Sequence, residues 1–337
     1  MADQMHGFGL GVISENAKGA ILDVFYPTPL GDVTGPLSDA LSGVCGRLDR
    51  SDLKTLANNA RSAGDEALAA LADRLSKSPV SVVASSLAAN VAPVSVEDAY
   101  LKLHMLSHRL VKPHGTDLTG VFGLLPNVAW TDEGPIDLSE LAERQLSARL
   151  KGKVLEVASV DKFPKMTNYV VPEGVRIAHS ARVRLGAYLG AGTTVMHEGF
   201  INFNAGTAGP GMVEGRISAG VMVGKGSDLG GGCSTMGTLS GGGNMIISVG
   251  EECLIGANAG LGIPLGDRCT VEAGLFITAG TKVTVLDDAK QAVETTAARY
   301  LAGRSDLLFR RNSQSGSVEC LTNKTAIELN ESLHAHN

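Results

Sequence analysis

The residues whose types and spacing could carry chemistry include an acidic and a basic side chain in the segment MVEGRIS, where Glu214 stands two residues before Arg216. A carboxylate can take a proton from an attacking nucleophile, and a planar guanidinium suits a carboxylate group of a ligand. The alternative interpretations are a solvated surface charge for Glu214 and a structural ion pair between the two side chains.

Other titratable residues form weaker patterns. His104 and His108 are spaced to share one helix face, but the glutamate of an HExxH metal motif is missing, so packing is their expected role. The five cysteines contain no CxxC pair and are odd in number, which predicts small buried side chains instead of disulfides or a zinc site. The adjacent Arg310 and Arg311 suit phosphate groups.

An internal repeat indicates the element that positions these residues. Of the 42 glycines, 25 lie between Gly186 and Gly280, in a segment that is also rich in aliphatic residues. A period of six fits neither an α-helix nor an alternating strand. It fits a coil of short strands with small residues at its corners, so the repeat predicts a parallel β-helix. The aliphatic residue recurs in three phased runs, namely Ile177, Val183, Leu189, Val195 and Ile201, then Val249, Ile255 and Leu261, then Leu265, Val271, Ile277 and Val283.

The repeat lapses twice, at residues 202–219 and 235–247, where the sequence becomes glycine-rich. We expect each lapse to be a loop ejected from a corner, because a coil contacts only its neighbours and can tolerate such an insertion. Ejected loops commonly handle ligands. Inert corner insertions are the alternative.

The flanks of the repeat predict two further regions. Residues 1–165 predict an α/β domain, with helical patterns at 53–75, 96–110 and 138–150 and an aliphatic run at 80–84. The β-helix is assigned to 166–285. Residues 286–337 are assigned to a C-terminal cap, in which LLFRRNSQSGSVECL predicts two strands around a Ser-Gly turn. The fold class is therefore mainly β with an N-terminal α/β domain.

Composition narrows the function classes. The 337 residues carry a formal net charge of −6, which disfavours a nucleic-acid-binding protein. The chain has neither an apolar run long enough to span a membrane nor a signal-peptide pattern at its start, so we expect a cytoplasmic protein with no membrane partner.

The segment 195–283, with MVEGRIS and LSGGG, the following LLFRRNS and the tail LNESLHAHN, resembles the tetrahydrodipicolinate N-succinyltransferase family of the long-chain type. The resemblance covers the C-terminal half densely, whereas residues 1–165 match in size and general character. It implies a left-handed parallel β-helix that assembles as a homotrimer, with active sites between subunits. The implied reaction moves a succinyl group from the cosubstrate succinyl-CoA to the amino group of ring-opened tetrahydrodipicolinate, on the route to diaminopimelate and lysine.

The resemblance also assigns site residues. Glu214 is the implied catalytic residue, either as general base or as the carboxylate that is itself acylated, and Arg216 is an implied ligand contact. A pantetheine arm needs backbone amides and small side chains beneath it. The remaining positions that match coenzyme contacts are Gly231, Ser234, Ala257, Glu272, Ala273, Gly280, Arg310, Arg311, Asn312 and Ser313.

No tightly bound cofactor is expected, although the resemblance allows Mg²⁺ on the trimer axis. Glu198 matches one ligand of such an ion, but Ala181 stands where an aspartate would supply the other. His197 is the rival base, since some hexapeptide-repeat acyltransferases use a histidine. The alternative functions are another CoA-dependent hexapeptide acyltransferase and a non-catalytic trimeric β-helix protein. A carbonic-anhydrase-like metal site is disfavoured because the repeat holds only His179 and His197.

Overall fold

The computed structural model describes residues 4–237 and 245–322. The chain divides into two compact units. The first comprises Met1–Val111, Gly115–Pro164 and Asn168–Val170, and the second comprises Lys112–His114, Lys165–Thr167 and Val171–Asn337. The division into three domains at residues 165 and 285 stays a prediction.

The first unit contains all six described α-helices and two antiparallel sheets. The larger sheet has the strand order β2-β1-β5-β4, with β3 also paired to β1, and the smaller has the order β7-β6-β8. The strands are β1 (Met5–Glu15), β2 (Ile21–Phe25), β3 (Leu30–Val33), β4 (Gly46–Leu48), β5 (Val82–Leu87), β6 (Val128–Thr131), β7 (Gly134–Asp137) and β8 (Val157–Asp161). The helices are α1 (Gly35–Leu41), α2 (Arg50–Ser62), α3 (Glu66–Leu75), α4 (Val96–Ser107), α5 (Val121–Leu124) and α6 (Leu138–Leu150).

The predicted helix at 53–75 was wrong as a single element. Gly64 has a φ of 89°, which ends the α2 segment in a left-handed turn. Asp65 then caps α3 by accepting a hydrogen bond from the backbone N–H of Leu68 at 2.9 Å. The apolar faces of both helices pack on the same core as Phe8 and Leu10 of β1, so the continuous apolar pattern reflects shared burial.

Of the other two predicted helices, one has the predicted bounds and the other ends earlier. The α6 helix spans the predicted residues 138–150. The α4 helix ends at Ser107 instead of Leu110, because Arg109 adopts a φ of 64° and the Leu110 N–H returns to the Met105 carbonyl at 2.9 Å. The strand expected near 80–84 begins two residues later, as β5.

The second unit contains the repeat, which forms coils of short parallel strands in three sheets. The inward positions are buried aliphatic residues, as the sixfold period predicts. The first face contains β10 (Ala187–Leu189), β13 (Ala205–Thr207), β16 (Met222–Val223) and β19 (Ser248–Val249). The second contains β9 (Arg176–Ile177), β11 (Thr193–Val195), β14 (Gly211–Val213), β17 (Asp228–Leu229), β20 (Leu254–Ile255) and β22 (Thr270–Val271). The third contains β12 (Phe200–Ile201), β15 (Arg216–Ile217), β18 (Ser234–Thr235), β21 (Gly260–Gly262) and β23 (Phe276–Thr278).

The expectation of an ejected loop at 202–219 was wrong. The coil continues there through β13, β14 and β15. The buried Thr207 takes an inward position that is occupied by an aliphatic residue elsewhere in the repeat. The sequence phase changes because Ile217 follows Val213 after four residues instead of six, and both side chains are buried. The apparent lapse is therefore a corner shortened by two residues.

The second lapse contains an insertion. Val223 pairs with Val249, which lies 26 residues further along the chain, whereas Val195 pairs with Val213 only 18 residues on. Residues 238–244, which include all of LSGGG, lie outside the described residues, as does the tail LNESLHAHN.

The cap extends the second face of the coil. It contains β24 (Lys282–Leu286), β25 (Ala292–Ala297), β26 (Leu307–Arg311) and β27 (Val318–Thr322). Strand β26 pairs in parallel with β22 and antiparallel with β27, so the predicted two-strand hairpin covers the last strand of this face. Such pairing removes an exposed sheet edge.

Candidate active site

Most of the predicted site residues stack along one edge of the coil. Glu214, Gly231, Ala257 and Ala273 each follow a strand of the second face, and those strands are direct neighbours in the order β14, β17, β20 and β22. The stacking is close, since the Gly274 N–H donates to the Ala257 carbonyl at 2.8 Å. We name this edge, from Glu198 to Arg311, the site edge.

The shortened corner interrupts the site edge at Glu214. The preceding turn, from Val195 to Phe200, has four intervening residues, whereas only Glu214 and Gly215 separate Val213 from Arg216. The missing residues leave a notch of about 430 Å³ between neighbouring corners. It is lined by Arg182, Glu198, Phe200, Gly215, Arg216, Gly232 and Cys233.

Glu214 is held in this corner by its backbone. Its N–H donates to the Leu229 carbonyl at 2.9 Å, while its own carbonyl accepts from the Gly232 N–H at 3.4 Å. The side chain is half-buried. A Cβ built on Gly231 would lie 3.7 Å from Oε2 of Glu214, so the carboxylate lies beside the small residue that follows it along the edge.

Cys233 packs beneath the short corner. A Cβ built on Gly215 would lie 2.3 Å from the Cys233 Sγ, which shows that the thiol occupies the space left by the glycine. Burial, and secondarily the charge of Glu214, raise the pKa of the Cys233 thiol to about 12. The thiol is therefore neutral at physiological pH and acts as a packing group.

Arg216 makes hydrogen bonds to Ser234 and no ion pair with Glu214 within the described part of the chain. Its Nε and Nη2 donate to the Ser234 Oγ at 3.1 and 2.7 Å. The two residues are neighbours on the outward face of β15 and β18. The guanidinium is exposed, which leaves its remaining donors available to a ligand.

The candidate metal ligand Glu198 lies in the turn that precedes the notch. Its Oε2 accepts from Arg182 Nη2 at 2.8 Å and its Oε1 accepts from His197 Nδ1 at 3.0 Å. The His197 hydrogen bond and the Arg182 charge hold the pKa of the Glu198 carboxyl below its usual range. Among residues 4–237 and 245–322, no three His, Cys, Asp or Glu side chains are grouped to hold a metal ion. Glu198, with both oxygens engaged, does not fit a magnesium site within this chain.

The cap closes the site edge at its other end. Glu272 joins the coil to the cap, since its Oε2 accepts from the Arg311 N–H at 2.7 Å. Arg310 donates from Nε and Nη2 to Glu319 at 2.9 and 2.8 Å, and Asn312 donates to the same carboxylate at 2.7 Å. These contacts lower the pKa of Glu319.

Of the four predicted coenzyme contacts in the cap, Arg310 and Asn312 are thus bonded to Glu319, whereas Arg311 and Ser313 are exposed. The Arg311 guanidinium is exposed and donates to the Gly316 carbonyl at 3.1 Å, and Ser313 is exposed in the turn beyond it. Gly280 is separated from this group because it follows β23 on the third face, and a Cβ built on it would meet nothing in the described part of the chain within 4 Å.

Sequence reasoning missed several residues that line the notch, namely Arg182, Phe200, Gly215 and Cys233. Their signal was the spacing between Val213 and Ile217, which places one corner two residues short. The role of His104 was predicted correctly. His104 is fully buried, with one ring nitrogen bonded to the Tyr100 carbonyl and the other to the Tyr26 N–H, so it packs in the first unit as expected.

Comparisons with known proteins bear on the family of the chain. A profile described as tetrahydrodipicolinate N-succinyltransferase middle matches residues 125–165, and one described as hexapeptide repeat of succinyl-transferase matches residues 246–279. A 2,3,4,5-tetrahydropyridine-2,6-dicarboxylate N-succinyltransferase of Pseudomonas aeruginosa is 63% identical over 100% of both chains. The protein of that name from Vibrio cholerae is 58% identical over 98% of both chains.

The chain belongs to the tetrahydrodipicolinate N-succinyltransferase family. A crystal structure of a candidate 2,3,4,5-tetrahydropyridine-2-carboxylate N-succinyltransferase from Campylobacter jejuni has a TM-score of 0.86 at 33% identity, covering 97% of this chain and 94% of that one. The chain is thus an N-succinyltransferase with a mainly β hexapeptide-repeat fold, which confirms the expected family and activity class.

One expectation from the sequence was too narrow. The resemblance was dense over the C-terminal half and only general over residues 1–165, yet the Pseudomonas relative matches the full length and a family profile falls at 125–165. Among the described residues, none of the helices is both long and apolar enough to cross a membrane.

Proposed function

We propose that this enzyme transfers the succinyl group of succinyl-CoA to the amino group of ring-opened tetrahydrodipicolinate, a step toward diaminopimelate and lysine. The relatives carry that acceptor in their names. Overall, a C–N bond forms between the amine and the succinyl carbonyl carbon, and the C–S bond of the thioester breaks to release CoA. The amine must lose a proton in the course of the attack, and a base at the reacting centre can accept it.

Glu214 is the residue we propose for that role. The observation that carries the proposal is its position at the shortened corner, where the half-buried Glu214 directly precedes Gly215, which lines the notch. It would act either as general base toward the amine or as a nucleophile that is first acylated to an anhydride. Arg216, held by Ser234 on the same side of the notch, would bind a carboxylate of a substrate.

The coenzyme is proposed to follow the site edge from Glu214 toward the cap. Small residues at Gly231, Ala257 and Ala273 leave room above the backbone for a narrow pantetheine arm. Arg311 lies at the end of this path with an exposed guanidinium, where phosphate groups would be bound. Glu272, Asn312 and Ser313 line the same end, whereas Gly280 is the member of the predicted set with the least support.

Two finer features remain proposals from the family resemblance. These are the left-handed sense of the β-helix and the homotrimer, in which neighbouring subunits would complete each site. No tightly bound cofactor is proposed, and Glu198 supplies no argument for magnesium.

The test is to mix the purified protein with succinyl-CoA and L-2-aminopimelate, an acceptor with a free amino group, and to follow the release of free CoA. We expect release that depends on both substrates at steady state. Acetyl-CoA serves as the control donor, since it lacks the terminal carboxylate. Equal rates with acetyl-CoA, or no release with succinyl-CoA, would contradict the proposed function.

A further inference from the structure

The notch contains a second arginine that the proposed reaction has not used. On the outward side of the third face, Arg182, Phe200, Arg216 and Ser234 form one column, because Val183 pairs with Ile201, Phe200 with Arg216, and Arg216 with Ser234. Arg182 and Arg216 are two coils apart, about 10 Å along the column at the usual strand spacing. Both line the notch, and Phe200 lies between them in the column.

The order of residues along the coil separates the two substrates. Along the site edge, every position proposed for the coenzyme lies in a later coil than Glu214. These positions run from Gly231 to Arg311 in the cap. The acceptor must reach Glu214 from another direction, and the notch extends toward the preceding coil, where Glu198 and Phe200 lie. The preceding side of the notch is therefore the space left for the acceptor.

That space presents one cation in the notch lining, Arg182. Its guanidinium is bonded to Glu198 at 2.8 Å, and the two side chains are 39% and 67% exposed. Exposed ion pairs of this kind contribute little stability. A ligand carboxylate has the same planar shape as the Glu198 carboxylate and can replace it on the arginine fork.

We infer that Arg182 determines specificity for a dicarboxylate acceptor by binding the carboxylate remote from the attacked amine, displacing Glu198 as it does so. The inference rests on the proposed function, because it assumes an acceptor with two carboxylates. The aliphatic part of the acceptor would lie against Phe200, between the two arginines. Glu198 then neutralises Arg182 in the absence of acceptor.

The experiment compares two acceptors that differ in one carboxylate, L-2-aminopimelate and L-2-aminoheptanoate, in the wild type and in Arg182→Met. Loss of a charge-assisted contact predicts a ten- to hundredfold fall in kcat/KM for L-2-aminopimelate. The fall for L-2-aminoheptanoate should be less than threefold, since it lacks the carboxylate that Arg182 binds. The KM for succinyl-CoA should not change.

Three further variants make the result decisive. Arg182→Lys keeps the charge but loses the planar fork, and it should retain part of the discrimination between acceptors. Arg176→Met removes an exposed arginine of the second face that does not line the notch, and should match the wild type. Glu198→Gln removes the competing charge and should lower the KM for L-2-aminopimelate.

The inference is overturned if Arg182→Met still discriminates between the acceptors as strongly as the wild type, or loses activity equally toward both. A thermal unfolding midpoint measured for each variant identifies a folding defect, in which case Arg182→Lys and Glu198→Gln decide the question. If the wild type itself releases no CoA with L-2-aminopimelate, the proposed function fails instead. The two failures are thus distinguishable.

Discussion

At the scale of single residues, the corner formed by Glu214 and Gly215 combines two requirements. The proposed chemistry needs the Glu214 carboxylate next to the notch, and the residue after it must be small because the Cys233 Sγ fills the space where a Cβ would lie. The hydrogen bond from the Glu214 N–H to Leu229 fixes the backbone of the corner to the next coil. The proposed catalytic carboxylate of Glu214 and the tightly packed Gly215 are therefore adjacent in this corner.

Glu214→Gln keeps the size of the side chain and removes its basicity and its nucleophilic oxygen. We expect turnover to fall by about two to four orders of magnitude, with the KM of both substrates little changed. Initial rates of CoA release measure this. A variant that retains more than half of the wild-type turnover would remove Glu214 from the mechanism and favour His197.

The same residue allows its two possible roles to be separated. An acylated Glu214 predicts stoichiometric release of CoA from succinyl-CoA without acceptor, together with ping-pong kinetics. A general base predicts no release until both substrates are bound.

Gly215→Ala tests the packing of the short corner. The new Cβ would meet the Cys233 Sγ at 2.3 Å and the Cys233 carbonyl oxygen at 2.6 Å, so the corner must move. We expect a loss of about 1–3 kcal/mol in the free energy of unfolding, along with a large fall in turnover. Gly123→Ala is the matched control, because its Cβ would meet nothing within 4 Å and its φ is not positive. An active Gly215→Ala enzyme of unchanged stability would contradict this account.

At the scale of elements, the cap hairpin separates two arginines that look equivalent in the sequence. Arg310 is bonded to Glu319, whose side chain is only 10% exposed, whereas the Arg311 side chain lies in the solvent beside Gly316. The pair Arg310–Glu319 holds β26 to β27, and Arg311 is left to contact a ligand.

Arg311→Ala should therefore raise the KM for succinyl-CoA by about tenfold, as expected for one charge-assisted phosphate contact, with the thermal midpoint unchanged. Arg310→Ala should act mainly on stability, because it leaves the Glu319 carboxylate buried without its cation, at a cost of roughly 1–3 kcal/mol. Steady-state kinetics and thermal unfolding of both variants provide the comparison. The reverse assignment of effects would show that Arg310 is the coenzyme contact.

At the scale of the whole molecule, the notch is open to solvent and much of the site edge is exposed in a single chain. A closed ring of subunits would cover such an edge and exclude water from the reaction. We expect sedimentation equilibrium at micromolar concentration to give three times the 34.8 kDa mass of one chain. An active monomer would contradict both the trimer and a site shared between subunits.

The sequence by itself determined the repeat architecture and the chemistry-bearing segment. The sixfold aliphatic period depends on local geometry, since each coil side has one inward residue, and it survives in the buried positions from Val183 to Ile277. The MVEGRIS and LLFRRNS segments indicated the family because they combine buried residues with exposed or half-buried polar residues, such as Glu214, Arg216 and Arg311, that the inward packing does not require. The hairpin at 307–322 followed from its turn residues.

Only the tertiary structure decided how the coils align. The four-residue step from Val213 to Ile217 resembled a lapse in the sequence, because register between coils depends on contacts with strands 16 to 18 residues away. That register places Arg182 and Phe200 in one column with Arg216, and the pairing of β26 with β27 gives Arg310 an ion-pair partner that Arg311 lacks among the described residues. The sixfold period of the sequence predicts which residues face inward. The neighbours of an outward residue depend instead on the length of every corner that lies between them along the chain.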